Sequence, residues 1–225
     1  MMGKNMKNLL SKHEFYIFLV IIVICIMIEI RSGQFFTPNN FVDLGSALIV
    51  PGLFAIGTFM VIVSGGIDVS FPALASLSVY ATTKILTEIN YKGGILLPII
   101  MVLAFGALLG AFNGFFIANL KLPTMIITLG TSSVFRGIMQ GVLNSTEIPN
   151  IPVGMRNFGT AALFVATNKE LGLNSRMPTA FLVLLAVIVL AYFVLRYTMF
   201  GRALYAIGGN ETSAYRAGFN VKRTK

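Results

Sequence analysis

The sequence has few of the side chains on which most enzymes and metal proteins depend. Among 225 residues there is one cysteine and one histidine, and only 11% of the residues are charged. A single cysteine excludes a disulfide within the chain and a cysteine cluster for a metal. Cys25 lies inside an apolar run and is interpreted as a small residue facing lipid or a neighbouring helix. His13 stands between Lys12 and Glu14, which indicates a solvated flank, not a catalytic group.

Acidic residues are also scarce, with 8 acids against 17 basic residues and a net charge of +9. In a soluble protein this excess would suggest a nucleic-acid partner, but the basic residues here flank long apolar runs and are typical of membrane topology signals. No nucleic-acid partner is therefore predicted. Because 56% of the residues are hydrophobic, the chain cannot cover its surface with polar groups, and membrane lipid is its expected solvent.

Six apolar runs are long enough to cross or nearly cross a bilayer, and they predict an all-α, polytopic transmembrane helix bundle of about six spans. The runs are residues 15–30, 41–64, 71–86, 95–120, 123–143 and 178–195. The first run is followed by no small-residue cleavage site and is predicted to be a retained span. Basic residues at the two ends of the chain favour cytoplasmic termini. Residues 144–177 are then an extracytoplasmic loop, and residues 198–225 lie in the cytoplasm.

The segment from Gly65 to Ser70 reads GGIDVS and interrupts two apolar runs. Two glycines allow a helix to break, and an acid at this depth is costly unless it is paired or reaches water. Asp68, with Gly65 and Gly66, is therefore a candidate for the solute pathway or gate. The alternative is structural, because Asp68 or Ser70 is placed to cap the next helix, which has Pro72 in its first turn.

Residues 122–137 read LPTMIITLGTSSVFRG and combine a proline with small and hydroxyl-bearing residues. Such residues allow close helix packing and hydrogen bonds within a membrane. Thr128 and Thr131 are predicted to line the solute pathway. Arg136 lines the same route unless it reaches the interface or pairs with a neighbour.

Three glycines spaced by four residues lie on one face of the fourth run: Gly106, Gly110 and Gly114. Small residues at this spacing let helix backbones approach each other. The spacing predicts a closely packed helix face and says nothing about a substrate.

Residues 198–221 read TMFGRALYAIGGNETSAYRAGFNV. The pair Gly208-Gly209 predicts a break, Asn210 a helix N-cap and Gly218 a helix C-terminus. The result is one cytoplasmic helix of about seven residues, which is marginal alone and needs a partner surface. These glycines lack the spacing and the Lys-Ser/Thr of a P-loop, so no ATP site or other cofactor site is predicted in this chain.

At residues 65–68, 123–137 and 200–221 the sequence resembles the permease family of bacterial ABC importers for ribose, xylose, galactose and autoinducer-2. The resemblance implies a permease subunit in the bacterial inner membrane that binds no cofactor of its own. Its implied partners are a cytoplasmic ATP-binding subunit that holds ATP, an extracytoplasmic solute-binding protein and a second, identical or different, permease subunit. The resemblance also implies that residues 200–221 contact the ATPase. The candidate coupling residues are Gly201, Arg202, Gly208, Asn210, Ala214 and Gly218.

The sequence departs from the pattern of the family it resembles in two respects. Phe71-Pro72 replaces the Val-Gly that usually follows the Asp-x-Ser. The family also continues for several spans beyond the coupling loop, so residues 1–225 are expected to form one incomplete permease domain.

A secondary transporter that couples ions through Asp68 is the alternative function, but it leaves the cytoplasmic helix without a purpose. A membrane-embedded enzyme lacks a credible catalytic set.

Overall fold

The computed structural model describes residues 13–168 and 172–225 and places helices in all six apolar runs. The helices are α1 (His13–Ser32), α2 (Pro38–Ala47), α3 (Ile49–Val63), α4 (Phe71–Glu88), α5 (Leu96–Leu120), α6 (Thr124–Gly137), α7 (Val153–Thr160), α8 (Ala180–Tyr197), α9 (Met199–Gly209), α10 (Glu211–Arg216) and α11 (Val221–Thr224). A π-helix, Ile138–Val142, follows α6, and strands β1 (Ala162–Asn168) and β2 (Leu173–Pro178) form a two-stranded sheet.

The predicted count of about six spans is not confirmed. By length and composition, three described helices are apolar enough to cross a membrane, namely Glu14–Ser32, Leu96–Leu120 and Ala180–Tyr197. The number rises to four if α2 and α3 are taken together as one broken span. Helix α6 falls short because it has only 14 residues, and α4 falls short because it carries polar side chains, such as Thr82, which is buried inside the protein. Such helices need less apolar surface than a helix surrounded by lipid.

The chain folds as two compact units, and the smaller one contains residues 13–47, 162–168 and 172–177. The described part of the chain is mainly helical, as predicted, and the two-stranded sheet at residues 162–168 and 173–178 departs from that prediction. These residues are too few to span a membrane, and β-branched and aromatic side chains between turn signals favour a strand. Asn39 of α2 is buried, and its amide donates to the carbonyl oxygens of Ala166 (2.8 Å) and Leu173 (3.3 Å). These bonds attach α2 to both strands.

The larger unit contains residues 48–161 and 178–225. Its core is built where α4 meets α6, with Ala73 and Leu77 packed against Phe135. Phe135 is only 1% exposed. This core fixes the position of α4, which follows the GGIDVS segment, relative to α6.

Helix α9 differs from the prediction, in which residues 198–209 begin a cytoplasmic loop. The hydroxyl of Thr198 caps this helix by accepting the Gly201 N–H at 3.1 Å. Ala203, Leu204 and Ile207 form its buried face. The glycine pair therefore ends a helix instead of breaking a loop, and the chain turns at Asn210.

Candidate functional site

The GGIDVS segment is a break between two helices, as the sequence predicted. Helix α3 ends at Val63 and α4 begins at Phe71. Gly65 has φ +83°, a conformation that favours glycine. A Cβ on Gly66 would lie 3.0 Å from the hydroxyl oxygen of Thr124, so the N-terminus of α6 packs tightly against the break. Glycine is thus required at Gly65 by conformation and favoured at Gly66 by space.

Asp68 organises the turn that leads into α4. Its Oδ1 accepts hydrogen bonds from the backbone N–H of Ser70 (2.6 Å) and from the Ser70 hydroxyl (2.7 Å). Ser70 is the N-cap residue of α4 but makes no side-chain capping bond. Asp68 therefore has a structural task close to the capping alternative, and it is only half-buried. Its role in the solute pathway stays a prediction.

Thr128 holds the break against α6. Its hydroxyl accepts the N–H of Val69 at 3.2 Å, and its single hydrogen is shared between the carbonyl oxygens of Ile67 and Met125, each at 3.3 Å. The Thr131 hydroxyl, one turn further along, bonds to the Thr128 carbonyl oxygen at 3.4 Å. Both threonines are buried. Arg136 is exposed, and within residues 13–168 and 172–225 it shows no hydrogen bond or ion pair.

The caps predicted for the short helix that follows the glycine pair 208–209 are confirmed. Asn210 Oδ1 accepts the N–H of Ser213 at 2.8 Å, at the start of α10. Gly218, just beyond the helix, has φ +88°, and its N–H donates to the Tyr215 carbonyl oxygen at 3.0 Å. The helix itself has six residues, close to the predicted length.

The other candidate coupling residues divide into buried and exposed positions. Ala214 is 3% exposed and packs inside the chain, whereas Arg202 is exposed. A Cβ on Gly201 would lie 2.4 Å from the Leu195 carbonyl oxygen, so Gly201 permits the close turn between α8 and α9. The structure gives Gly201 and Ala214 packing roles, and their coupling roles stay predictions.

The two glycine pairs of the sequence are brought into direct contact. A Cβ on Gly208 would lie 1.9 Å from the carbonyl oxygen of Val63 and 3.3 Å from the backbone N of Gly65. A Cβ on Gly65 would lie 3.5 Å from the Gly208 Cα. The last turn of α9 thus touches the backbone of the GGIDVS break. Sequence reasoning missed this contact, although each glycine pair was noted on its own.

A cavity of about 310 Å³ lies beside the break. Its walls include Ser64, Asp68, Asn113 and Thr124. Asn113 was missed by sequence reasoning, although a polar residue within the long apolar run 95–120 was the available signal. The predicted close packing of the glycine face also needs a correction at Gly110. A Cβ there would meet no heavy atom within 4 Å, because Gly110 borders this cavity.

Residues 40–225 match the family described as the permease component of the branched-chain amino acid transport system. The chain is 30% identical over 227 residues to the xylose/arabinose import permease protein of Sulfolobus acidocaldarius, covering 98% of this chain and 59% of that protein. It is 29% identical over 210 residues to the ribose import permease protein of Escherichia coli, covering 92% of this chain and 61% of that protein. No solved structure matches the chain significantly.

The apolar helices and these matches define a multi-pass protein of the inner membrane. The chain belongs to the permease-component family that its residues 40–225 match. It spans about 60% of the length of the curated relatives it matches, such as 59% and 61% of the two above.

Proposed function

We propose that the chain provides the translocation pathway of an ATP-driven importer for sugars or sugar-like solutes. The contact between Gly208 and the Val63–Gly65 backbone is the observation that carries this proposal. Gly208 belongs to the segment predicted to contact an ATPase, and Gly65 belongs to the segment predicted to form the solute pathway or gate. A secondary transporter has no need for such a link. The relatives named for xylose, arabinose and ribose support the solute class.

The proposed partners follow from the same reasoning. ATP is bound and hydrolysed on a separate cytoplasmic subunit, which contacts the exposed side of α10. An extracytoplasmic solute-binding protein delivers the solute, and a second permease subunit completes the assembly in the membrane. We propose no metal or cofactor site in this chain.

In the proposed mechanism, movement of the ATPase displaces α10, and Asn210 passes the displacement to α9. Helix α9 then pushes on the end of α3, because backbone atoms in contact cannot absorb the movement as flexible side chains do. The break between Val63 and Phe71 can change its dihedral angles at the two glycines. The Thr128 hydroxyl keeps Ile67 and Val69 attached to α6, so the change is directed toward the cavity.

ATP-dependent uptake tests this proposal. The full-length permease that contains this chain is reconstituted into vesicles with its ATPase and solute-binding protein. We expect uptake of radiolabelled aldopentoses, D-xylose and D-ribose first, that requires ATP and stops when the ATPase is made inactive. Uptake driven by an ion gradient without ATP would refute the importer and support the secondary transporter. Absence of uptake for every pentose and hexose tested would refute the solute class.

We also propose that both termini lie in the cytoplasm and that residues 144–177 face the outside. Topology reporters fused after Lys12, near Arg156 and after Lys225 measure the three positions. We expect cytoplasmic, extracytoplasmic and cytoplasmic signals, because the basic residues cluster at the two ends. An extracytoplasmic signal after Lys225 would show an odd number of crossings and would put α10 on the wrong side for an ATPase.

A further inference from the structure

We infer that the cavity beside the GGIDVS break is a solute site in which Asn113 recognises a hydroxyl group of a polyhydroxylated solute. This inference rests on the proposed function and adds a residue and a ligand chemistry to it. Asn113 lies on α5, outside the segments that the sequence singled out for the pathway.

Asn113 is held in a chain of hydrogen bonds that uses only half of its amide. Its Nδ2 donates to the Ser70 hydroxyl at 2.8 Å, and that hydroxyl donates to Asp68 Oδ1 at 2.7 Å. Ser70 is completely buried and Asn113 is 5% exposed. The direction of the chain is fixed, because the Asp68 carboxylate accepts and cannot donate when ionised. The amide nitrogen of Asn113 is therefore the end that faces Ser70.

The other half of the amide has no partner. Among the described residues, no donor lies within hydrogen-bonding distance of the buried Asn113 Oδ1. An unpaired buried acceptor destabilises the fold, so native proteins usually supply a partner for it. The residue lines the cavity, and the terminal torsion of asparagine is broad. A small rotation therefore presents the oxygen to a donor bound there.

The cavity offers acceptors for such a donor. The Asp68 carboxylate lies in the same wall, and the Ser64 hydroxyl gives its hydrogen to the Val61 carbonyl at 2.7 Å, which leaves its lone pairs free. At Gly110 no side chain fills the space. A volume of about 310 Å³ lies at the lower end of the range typical of small-molecule pockets. A small molecule with several hydroxyl donors fits these acceptors.

Asparagine replacement combined with deoxy analogues tests the inference. The full-length permease carrying Asn113→Leu is reconstituted with its ATPase and solute-binding protein, and uptake of radiolabelled aldopentoses is compared with that of their deoxy analogues. A site that bonds a hydroxyl rejects the analogue that lacks it. We expect wild-type permease to prefer one parent pentose over one deoxy analogue, and Asn113→Leu to reduce that preference by about tenfold or more.

Thr82→Val is the matched control. The Thr82 hydroxyl is also buried without a partner among the described residues, but Thr82 does not line the cavity. Thr82→Val removes only an unpaired buried hydroxyl and should leave the thermal stability of the permease in detergent unchanged, whereas Asn113→Leu also removes the hydrogen bond to Ser70 and should lower it slightly. Thr82→Val should keep the wild-type preference. If Asn113→Leu fails to assemble, Asn113→Ala removes the same amide without adding volume.

The outcomes separate this inference from the proposed function. If the wild-type assembly takes up pentoses with ATP and Asn113→Leu keeps the preference for every parent over its analogue, the unpaired oxygen serves only a trapped water and the inference is wrong. Equal loss of preference in Thr82→Val would point to general packing and would also refute it. Failure of the wild-type assembly to take up any pentose or hexose would instead refute the proposed function.

Discussion

Gly208→Ala is expected to abolish ATP-dependent uptake and to destabilise the larger unit. The added Cβ would lie 1.9 Å from the Val63 carbonyl oxygen and 2.9 Å from its carbon, which are backbone atoms that no rotamer change can move. Helix α9 must therefore separate from the end of α3. Such overpacking costs about 1–3 kcal/mol, and more where backbone must shift. Thermal unfolding of the full-length permease in detergent and uptake in reconstituted vesicles measure the two effects.

Gly209→Ala is the control, since it makes the same chemical change one residue further along α9. A Cβ on Gly209 would meet no heavy atom within 4 Å, and alanine is a better helix former than glycine by about 1 kcal/mol in a helix interior. Near the end of the helix the gain is smaller, so Gly209→Ala should unfold and transport as wild type does. Wild-type stability and uptake in Gly208→Ala would show that the contact with Val63 does not exist in the working protein.

Local features of the site were predictable from the sequence because they depend on neighbours along the chain. Asn210 caps the amide of Ser213, three residues away, and Gly218 takes the positive φ that ends a short helix. The break at Gly65 follows from the same kind of chemistry. In each case the residue type itself restricts the backbone, so no knowledge of the tertiary structure is needed.

Contacts between distant segments were not predictable in the same way. Nothing in the order of residues says that Gly208 meets Val63, or that Asn113 bonds Ser70, because both contacts depend on how helices pack. The glycine spacing predicted close packing along one face of α5, yet Gly110 on that face borders a cavity. The strands were missed because an apolar run within a polar loop has the same composition whether it is extended or helical.

The number of membrane spans exposes a related limit. Hydropathy measures the average character of a helix, whereas the burial of Thr82, Thr128 and Ser132 depends on which face meets another helix. A polar helix inside a bundle and a polar helix outside a membrane can have the same mean hydropathy. Counting apolar runs therefore gave six candidate spans, while length and apolarity alone support three or four.

Replacing Tyr215 is expected to weaken association with the ATPase by about tenfold or more while the membrane core stays folded. Tyr215 is 73% exposed on α10, and exposed tyrosines are among the residues that contribute most to protein interfaces. Ala217 is also exposed, just beyond the helix, so Ala217→Arg should act in the same direction. Ala214→Glu differs, because Ala214 is 3% exposed and a buried charge should detach α10 from α9. Co-purification of the ATPase with tagged full-length permease measures the association.

Tyr205→Ala is the control for the loss of an exposed aromatic ring, since Tyr205 is 53% exposed on α9 and outside the capped helix. We expect Tyr205→Ala to retain the ATPase, Tyr215→Ala to lose it with an unchanged unfolding temperature, and Ala214→Glu to lose both association and stability. Because α10 has only six residues between its caps, it gains little stability from its own hydrogen bonds and depends on the surfaces it contacts. Full retention of the ATPase by both Tyr215→Ala and Ala217→Arg would therefore mean that α10 is held only by contacts within this chain, such as those with α9 and the Glu211–Lys225 ion pair. The surface that binds the ATPase would then have to lie elsewhere.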